Sequence, residues 1–178
     1  MAARGNVIII TAEPKGYAEE IIVSGTPKPG TVMGLKGSVA EVGGRRTFEP
    51  AGTTAANSTY SGMAADGNRI PIAVLLCSSD PWGAAVNPFI GPTDAFADGD
   101  RAAVYYPAMG EELNMLIKDE TGTGADQDFS VGDKLIVDDG TGKLLRSSGS
   151  PESEPFIILA ELTDVAADVL APCQYTGC

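Results

Sequence analysis

Carboxylates beside glycines are the residues of this chain whose types and spacing suggest chemistry. They cluster at Asp66-Gly67, Asp98-Gly99-Asp100 and Asp139-Gly140, and oxygen-rich loops of this composition can hold calcium. None has the spacing of an EF-hand loop, and each falls where a strand needs a turn, so the aspartates are expected to shape turns. The adjacent carboxylates Glu111-Glu112 and Asp138-Asp139 would point to opposite faces of a strand, which denies them the shared bond that glycoside chemistry requires. The string GTGK at Gly140–Lys143 lacks phosphate-loop spacing. The chain contains no histidine, which removes the usual proton shuttle, the Ser-His-Asp and Cys-His arrangements and every histidine-bearing metal site. The expectation is a non-enzymatic protein with no catalytic residue, no metal and no cofactor.

The elements that carry these residues are short. Among 178 residues there are 22 glycines and 12 prolines, enough to break the chain into many segments and to disfavour long helices. A nested frame occurs twice, as FADGDRAAV at Phe96–Val104 and FSVGDKLIV at Phe129–Val137. Glycine permits a positive φ, aspartate bonds nearby amides, and the apolar stretch that follows reads as a strand. Gly99, Asp100, Gly132 and Asp133 are therefore expected to be structural turn residues, and Gly30 is expected to serve the weaker echo KPGTVMGL in the same way. Ile70–Cys77 is a continuous apolar run of strand length, expected to be buried on both faces at the centre of a barrel.

Further strands are expected at Arg101–Tyr106 and Glu112–Lys118, read as neighbours, and at Phe156–Leu162. Hairpins are expected around Gly43-Gly44 and around the DGTG of Asp139–Gly142. A short turn of helix is possible near Thr93–Ala97 or Asp164–Val169. The fold class is then mainly β with little helix: an extended N-terminal arm at 1–29, a small β-barrel body at 30–163, and a last strand or C-terminal tail at 164–178. Pro50–Arg69 reads as a surface excursion.

A net charge of −12 makes nucleic acid and anionic membranes poor partners. No run approaches the ~20 apolar residues of a membrane span, and Val7–Ile10 is shorter than the apolar region of a signal peptide. Cys77 reads as a core residue, and Cys173 and Cys178 as unpaired thiols on a tail, as suits synthesis in a reducing cytoplasm. Two places are candidates for partner contacts. Val7, Ile8, Ile9 and Ile10 are consecutive β-formers on a loosely attached arm, suited to adding a strand to a neighbouring chain or to the domain's own sheet. Trp82 and Phe89, flanked by prolines, either cap a barrel end or make a preordered anchor.

The order of residues from about Pro29 onward resembles the small capsid decoration, or cement, proteins of tailed bacteriophages. The resemblance is carried by the Pro-Gly-Thr turn, by GDRAAVYYPAMGEELNMLI at Gly99–Ile117, by FSVGDKLIVDDGTGKLLRSS at Phe129–Ser148 and by FIILAEL at Phe156–Leu162. It implies a β-barrel or β-tulip body that binds the outer surface of an icosahedral head. The implied partner is the major capsid protein, the implied state a homotrimer, and the implied location the virion, after synthesis in the host cytoplasm. The alternative is a carbohydrate-binding β-domain on a virion or cell surface, with Trp82, Tyr105 and Tyr106 stacking on sugar rings.

Overall fold

The computed structural model describes residues 7–36, 44–51, 72–78, 80, 90–118, 127–147, 154–165 and 167–177. These residues form twelve strands and no helix: β1 (Tyr17–Val23), β2 (Val32–Leu35), β3 (Thr47–Pro50), β4 (Ala73–Leu75), β5 (Arg101–Tyr106), β6 (Glu112–Ile117), β7 (Gln127–Phe129), β8 (Lys134–Val137), β9 (Leu144–Arg146), β10 (Phe156–Ile158), β11 (Leu162–Val165) and β12 (Val169–Tyr175). The mainly-β barrel class expected from the sequence is what forms, with two closed barrels where one was expected. The first closes in the order β1-β3-β2-β4-β5 and the second in the order β6-β9-β8-β10-β12, with β7 and β11 as a separate two-stranded sheet.

The two barrels have the same topology in chain order. In each, the first strand pairs in parallel with the third, as β1 with β3 and β6 with β9. The first strand also pairs antiparallel with the last, from Tyr17↔Tyr106 to Ile22↔Arg101 and from Glu112↔Gln174 to Ile117↔Val169. Closure satisfies the backbone groups that an open sheet would expose along its edges.

The repeated Gly-Asp frame turns out to be a strand-starting device. Gly99 has φ 88° and Gly132 φ 92°, a conformation that costs glycine nothing. The Asp100 carboxylate accepts the Ala97 amide at 2.7 Å, and Asp133 accepts Ser130 at 2.9 Å. Each turn then clamps one residue of the adjoining strand. Gly99 N donates to Val23 O and Val23 N to Asp100 O, while Gly132 N donates to Ile158 O and Ile158 N to Asp133 O. Gly30-Thr31 makes the same pair of bonds with Leu75, and Gly110-Glu111 with Tyr175. Asp100→Ala and Asp133→Ala are each expected to lose about 1 kcal/mol in urea denaturation, the typical net worth of a hydrogen bond.

Period-two alternation sends neighbouring side chains of one wall into different cores. Ala102, Val104 and Tyr106 of β5, with Ile21, Met33, Phe48 and Leu75, fill the first barrel. Ala103 and Tyr105 point the other way and join Val32 and Val74 against Leu113, Met115, Ile117 and Leu135 of the second barrel. The apolar run at Ile70–Cys77 is thus buried on both faces where described, in a wall shared by two barrels. Each such fully buried aliphatic side chain is worth about 1.5–3 kcal/mol relative to exposure.

Several expectations are corrected. Residues 17–29 are not part of an arm, since β1 is a wall strand of the first barrel and the 28–31 turn starts β2. β5 and β6 are not paired neighbours, because the Pro107–Glu111 turn clamps Tyr175 and sends the chain into the other barrel. Of the two readings of 164–178 the last strand is the one that forms, as β12, so Cys173 lies buried in a wall strand as a free thiol and not on a tail. Neither possible helical turn forms: Asp164 and Val165 belong to β11, and 93–97 is irregular. The hairpins β2–β3 and β8–β9 are antiparallel pairs. The turn at Gly43 and most of the Pro50–Arg69 stretch lie outside the described residues.

Candidate functional site

Three carboxylates are buried among the described residues, Glu49, Asp80 and Glu111, and the last two are held by amides, a thiol and a hydroxyl. Asp80, 2% exposed, follows β4 and the apolar run. Its Oδ1 accepts the amides of Ile8 at 2.8 Å and Ile9 at 2.9 Å, and its Oδ2 accepts the Cys77 amide at 2.9 Å and the Cys77 thiol at 3.1 Å. One side chain thereby ties the N-terminal segment to the first barrel. Buried charge is tolerated here because donors surround it.

Glu111, 4% exposed, occupies the aspartate position of the Gly110 turn. Its Oε2 accepts the Tyr105 hydroxyl at 2.6 Å and the Ala108 amide at 2.8 Å, and its Oε1 accepts the amides of Lys15 and Gly16. Burial pushes the carboxyl up, but the Tyr105 hydroxyl and the amides of Lys15, Ala108 and Gly16 outweigh it and hold Glu111 below its ordinary 4.5. Burial, then the bond to Glu111, pushes the Tyr105 hydroxyl up. A folded-state pKa below the unfolded one gives stability that is present above about pH 4.5 and lost as pH falls through the lowered value. Wild-type protein is therefore expected to weaken below about pH 4.5 more steeply than Glu111→Gln, measured by urea denaturation at a series of acidic pH values.

The N-terminal segment closes a seam. Ile9 bridges Leu113 in antiparallel register, with Ile10 N donating to Glu112 O at 3.0 Å and Asn114 N to Ile8 O at 2.7 Å. The Asn114 side chain donates to Val7 O at 2.7 Å, and Glu112 N to Thr11 Oγ1 at 2.7 Å. Ile8 and Ile9 lie in the core shared by the barrels, while Val7 and Ile10 are half-buried. The strand addition expected of Val7–Ile10 is made within the chain itself. Trp82 and Phe89 lie outside the described residues.

The outer end of β1 carries the densest surface constellation. Arg45 and Arg101 both reach Glu20, and Arg46 pairs with Glu19. Tyr17, 61% exposed, stacks on Tyr106 with ring centroids 4.5 Å apart, and the Tyr106 hydroxyl donates to Glu19 at 3.1 Å. Tyr105 is fully buried and Tyr106 is covered, so neither offers a ring face to a sugar.

The remaining acids that drew notice in the sequence serve turns. Asp98 accepts the Gly25 amide at 2.8 Å, and Asp138 accepts Lys118 and the Thr141 hydroxyl. Among the described residues no three acidic or cysteine side chains converge as a metal-ligand group; Asp66 lies outside them. No helix among these residues is long and apolar enough to cross a membrane. Asp80 carried no sequence signal, since its partners lie some seventy residues away. Glu111 did carry one, because Pro-Ala-Met-Gly-Glu repeats the turn frame with glutamate in place of aspartate. No family model matches this chain, and no curated protein matches it.

Proposed function

We propose that this chain is a non-enzymatic cement protein that binds the outer surface of an icosahedral phage head and stabilises it through contacts with the major capsid protein. The observation that carries the reading is where the chain spends its buried polar groups. Asp80 holds the amides of Ile8, Ile9 and Cys77, and Glu111 holds the Tyr105 hydroxyl of β5 and the Gly16 amide ahead of β1, ties of segment to barrel and barrel to barrel that suit a rigid body loaded at its surface. The stretches that carry the resemblance contain the wall strands β5, β6, β8, β9 and β10. A rigid, acidic body gains avidity when many modest contacts repeat over a symmetric lattice. The trimer, the virion location and the anchoring role of Trp82 and Phe89 belong to this reading.

The test is cosedimentation of the purified protein with empty shells assembled without it. Saturable binding at a fixed ratio to shell subunits is expected. Protein left in the supernatant at every concentration would sink the reading, and selective retention on a glycan array would favour the carbohydrate-binding alternative.

A further inference from the structure

β1 and β6 are equivalent strands, and their outer edges can be compared amide by amide. Odd-numbered residues of β1 face β5, as Val23 N does in donating to Asp100 O, and even-numbered ones face the other side. On β6 the side away from β12 is filled along its length. Lys118 N donates to Leu144 O, Leu116 N to Gly30 O and Asn114 N to Ile8 O, and Glu112 N to Thr11 Oγ1. On β1 the first two amides are likewise taken, Ser24 N donating to Phe48 O and Ile22 N to Arg46 O. The series then stops. The amides of Glu20 and Ala18, equivalent to those of Asn114 and Glu112, have no acceptor among the described residues.

We propose that this edge of β1, from Ala18 to Glu20, accepts an extended strand of the shell protein, laid against it as Ile8–Thr11 is laid against β6. The proposal rests on the cement reading and names the site through which it acts. An unpaired edge invites pairing, and natural proteins guard such edges with charge so that only a matching strand adds. The guards here are Arg45, Arg46 and Arg101 against Glu19 and Glu20, a local excess of positive charge on a chain of net charge −12. A strand bearing a carboxylate is favoured. The exposed Tyr17 ring, backed by Tyr106, offers it an apolar seat.

The test is residue-resolved hydrogen exchange on the full-length protein, free and bound to empty shells, together with shell binding of Ala18→Pro. In the free protein the Ala18 and Glu20 amides should exchange as fast as that of exposed Glu13, while Asn114 and Glu112 exchange slowly. On shells, Ala18 and Glu20 should slow at least about tenfold, the signature of a new backbone hydrogen bond. Proline lacks the amide and is tolerated at an unpaired edge, so Ala18→Pro should keep the wild-type melting temperature and bind shells at least about tenfold more weakly, a difference of about 1.4 kcal/mol. Ala12→Pro, in the exposed linker, should bind as wild type does. Slow exchange at both amides in the free protein, or fast exchange at both on shells, overturns the proposal, and the wild-type measurement decides even if Ala18→Pro misfolds. A wild-type protein that binds shells with both amides still fast refutes the site alone. A wild-type protein that does not bind refutes the cement reading and, with it, the shell as the source of the strand.

Discussion

Asp80→Ala is expected to cost about 3–5 kcal/mol, the range seen when a buried charged hydrogen-bonding partner is removed. The amides of Ile8, Ile9 and Cys77 all lose their acceptor. The chain then has two routes, each costly. It can keep the segment seated with unsatisfied buried amides, or release it to water and expose Ile8 and Ile9, which are buried in the shared core. At about 2–4 °C per kcal/mol for a protein of this size, the melting temperature should fall by roughly 6–20 °C. Asp80→Asn keeps an oxygen for the segment but turns an NH2 group toward the Cys77 amide, so it should lose about half as much. A melting temperature for Asp80→Ala within a few degrees of wild type would show that the bonds to β6 and the buried isoleucines hold the segment without Asp80.

Gly142→Ala is the second large effect. Gly142 has φ +64°, and a Cβ there would lie 2.1 Å from Val32 O and 2.8 Å from Thr31 Cγ2. The obstacle is backbone of the other barrel, which cannot rotate away. The β8–β9 turn would have to withdraw from β2, breaking the bond from Val32 N to Gly142 O and straining that from Gly140 N to Ala51 O, both 2.8 Å. A loss of about 3–5 kcal/mol or failure to fold is expected, combining overpacking with left-handed strain. Gly132→Ala is the control, since Gly132 has φ +92° but nothing within 4 Å of its Cβ position. It should cost only the backbone term of about 1–2 kcal/mol. Equal losses for the two variants, by urea denaturation, would mean that close contact between the barrels is not what Gly142 supplies.

The turns were legible in the sequence because their chemistry is local. Gly99-Asp100 and Gly132-Asp133 need only a positive φ and a carboxylate three residues from the amide it accepts. The number of barrels was not legible, because the frame does not mark equivalent places. It precedes the fifth strand of the first barrel at Gly99 and the second strand of the second barrel at Gly132. The duplication lies in topology, which short-range patterns do not encode. That β1 is a wall strand and not part of an arm is not legible, because its partners β3 and β5 lie far along the chain and Glu19 and Glu20 meet their arginines only in the fold. Val7–Ile10 was readable as a strand in need of a partner. That partner is β6, more than a hundred residues away, reached through Asn114 and Glu112.

The proposed cement function is tested most directly by the disruption temperature of empty shells, followed by light scattering with and without saturating protein. A ligand that binds the assembled shell and not its dissociated subunits must raise that temperature in proportion to its occupancy. The temperature should rise until it saturates at the same protein-to-subunit ratio as binding, and should rise less with Ala18→Pro at equal concentration. An unchanged disruption temperature on fully occupied shells would contradict the cement function, leaving a protein that sits on the head without holding it together.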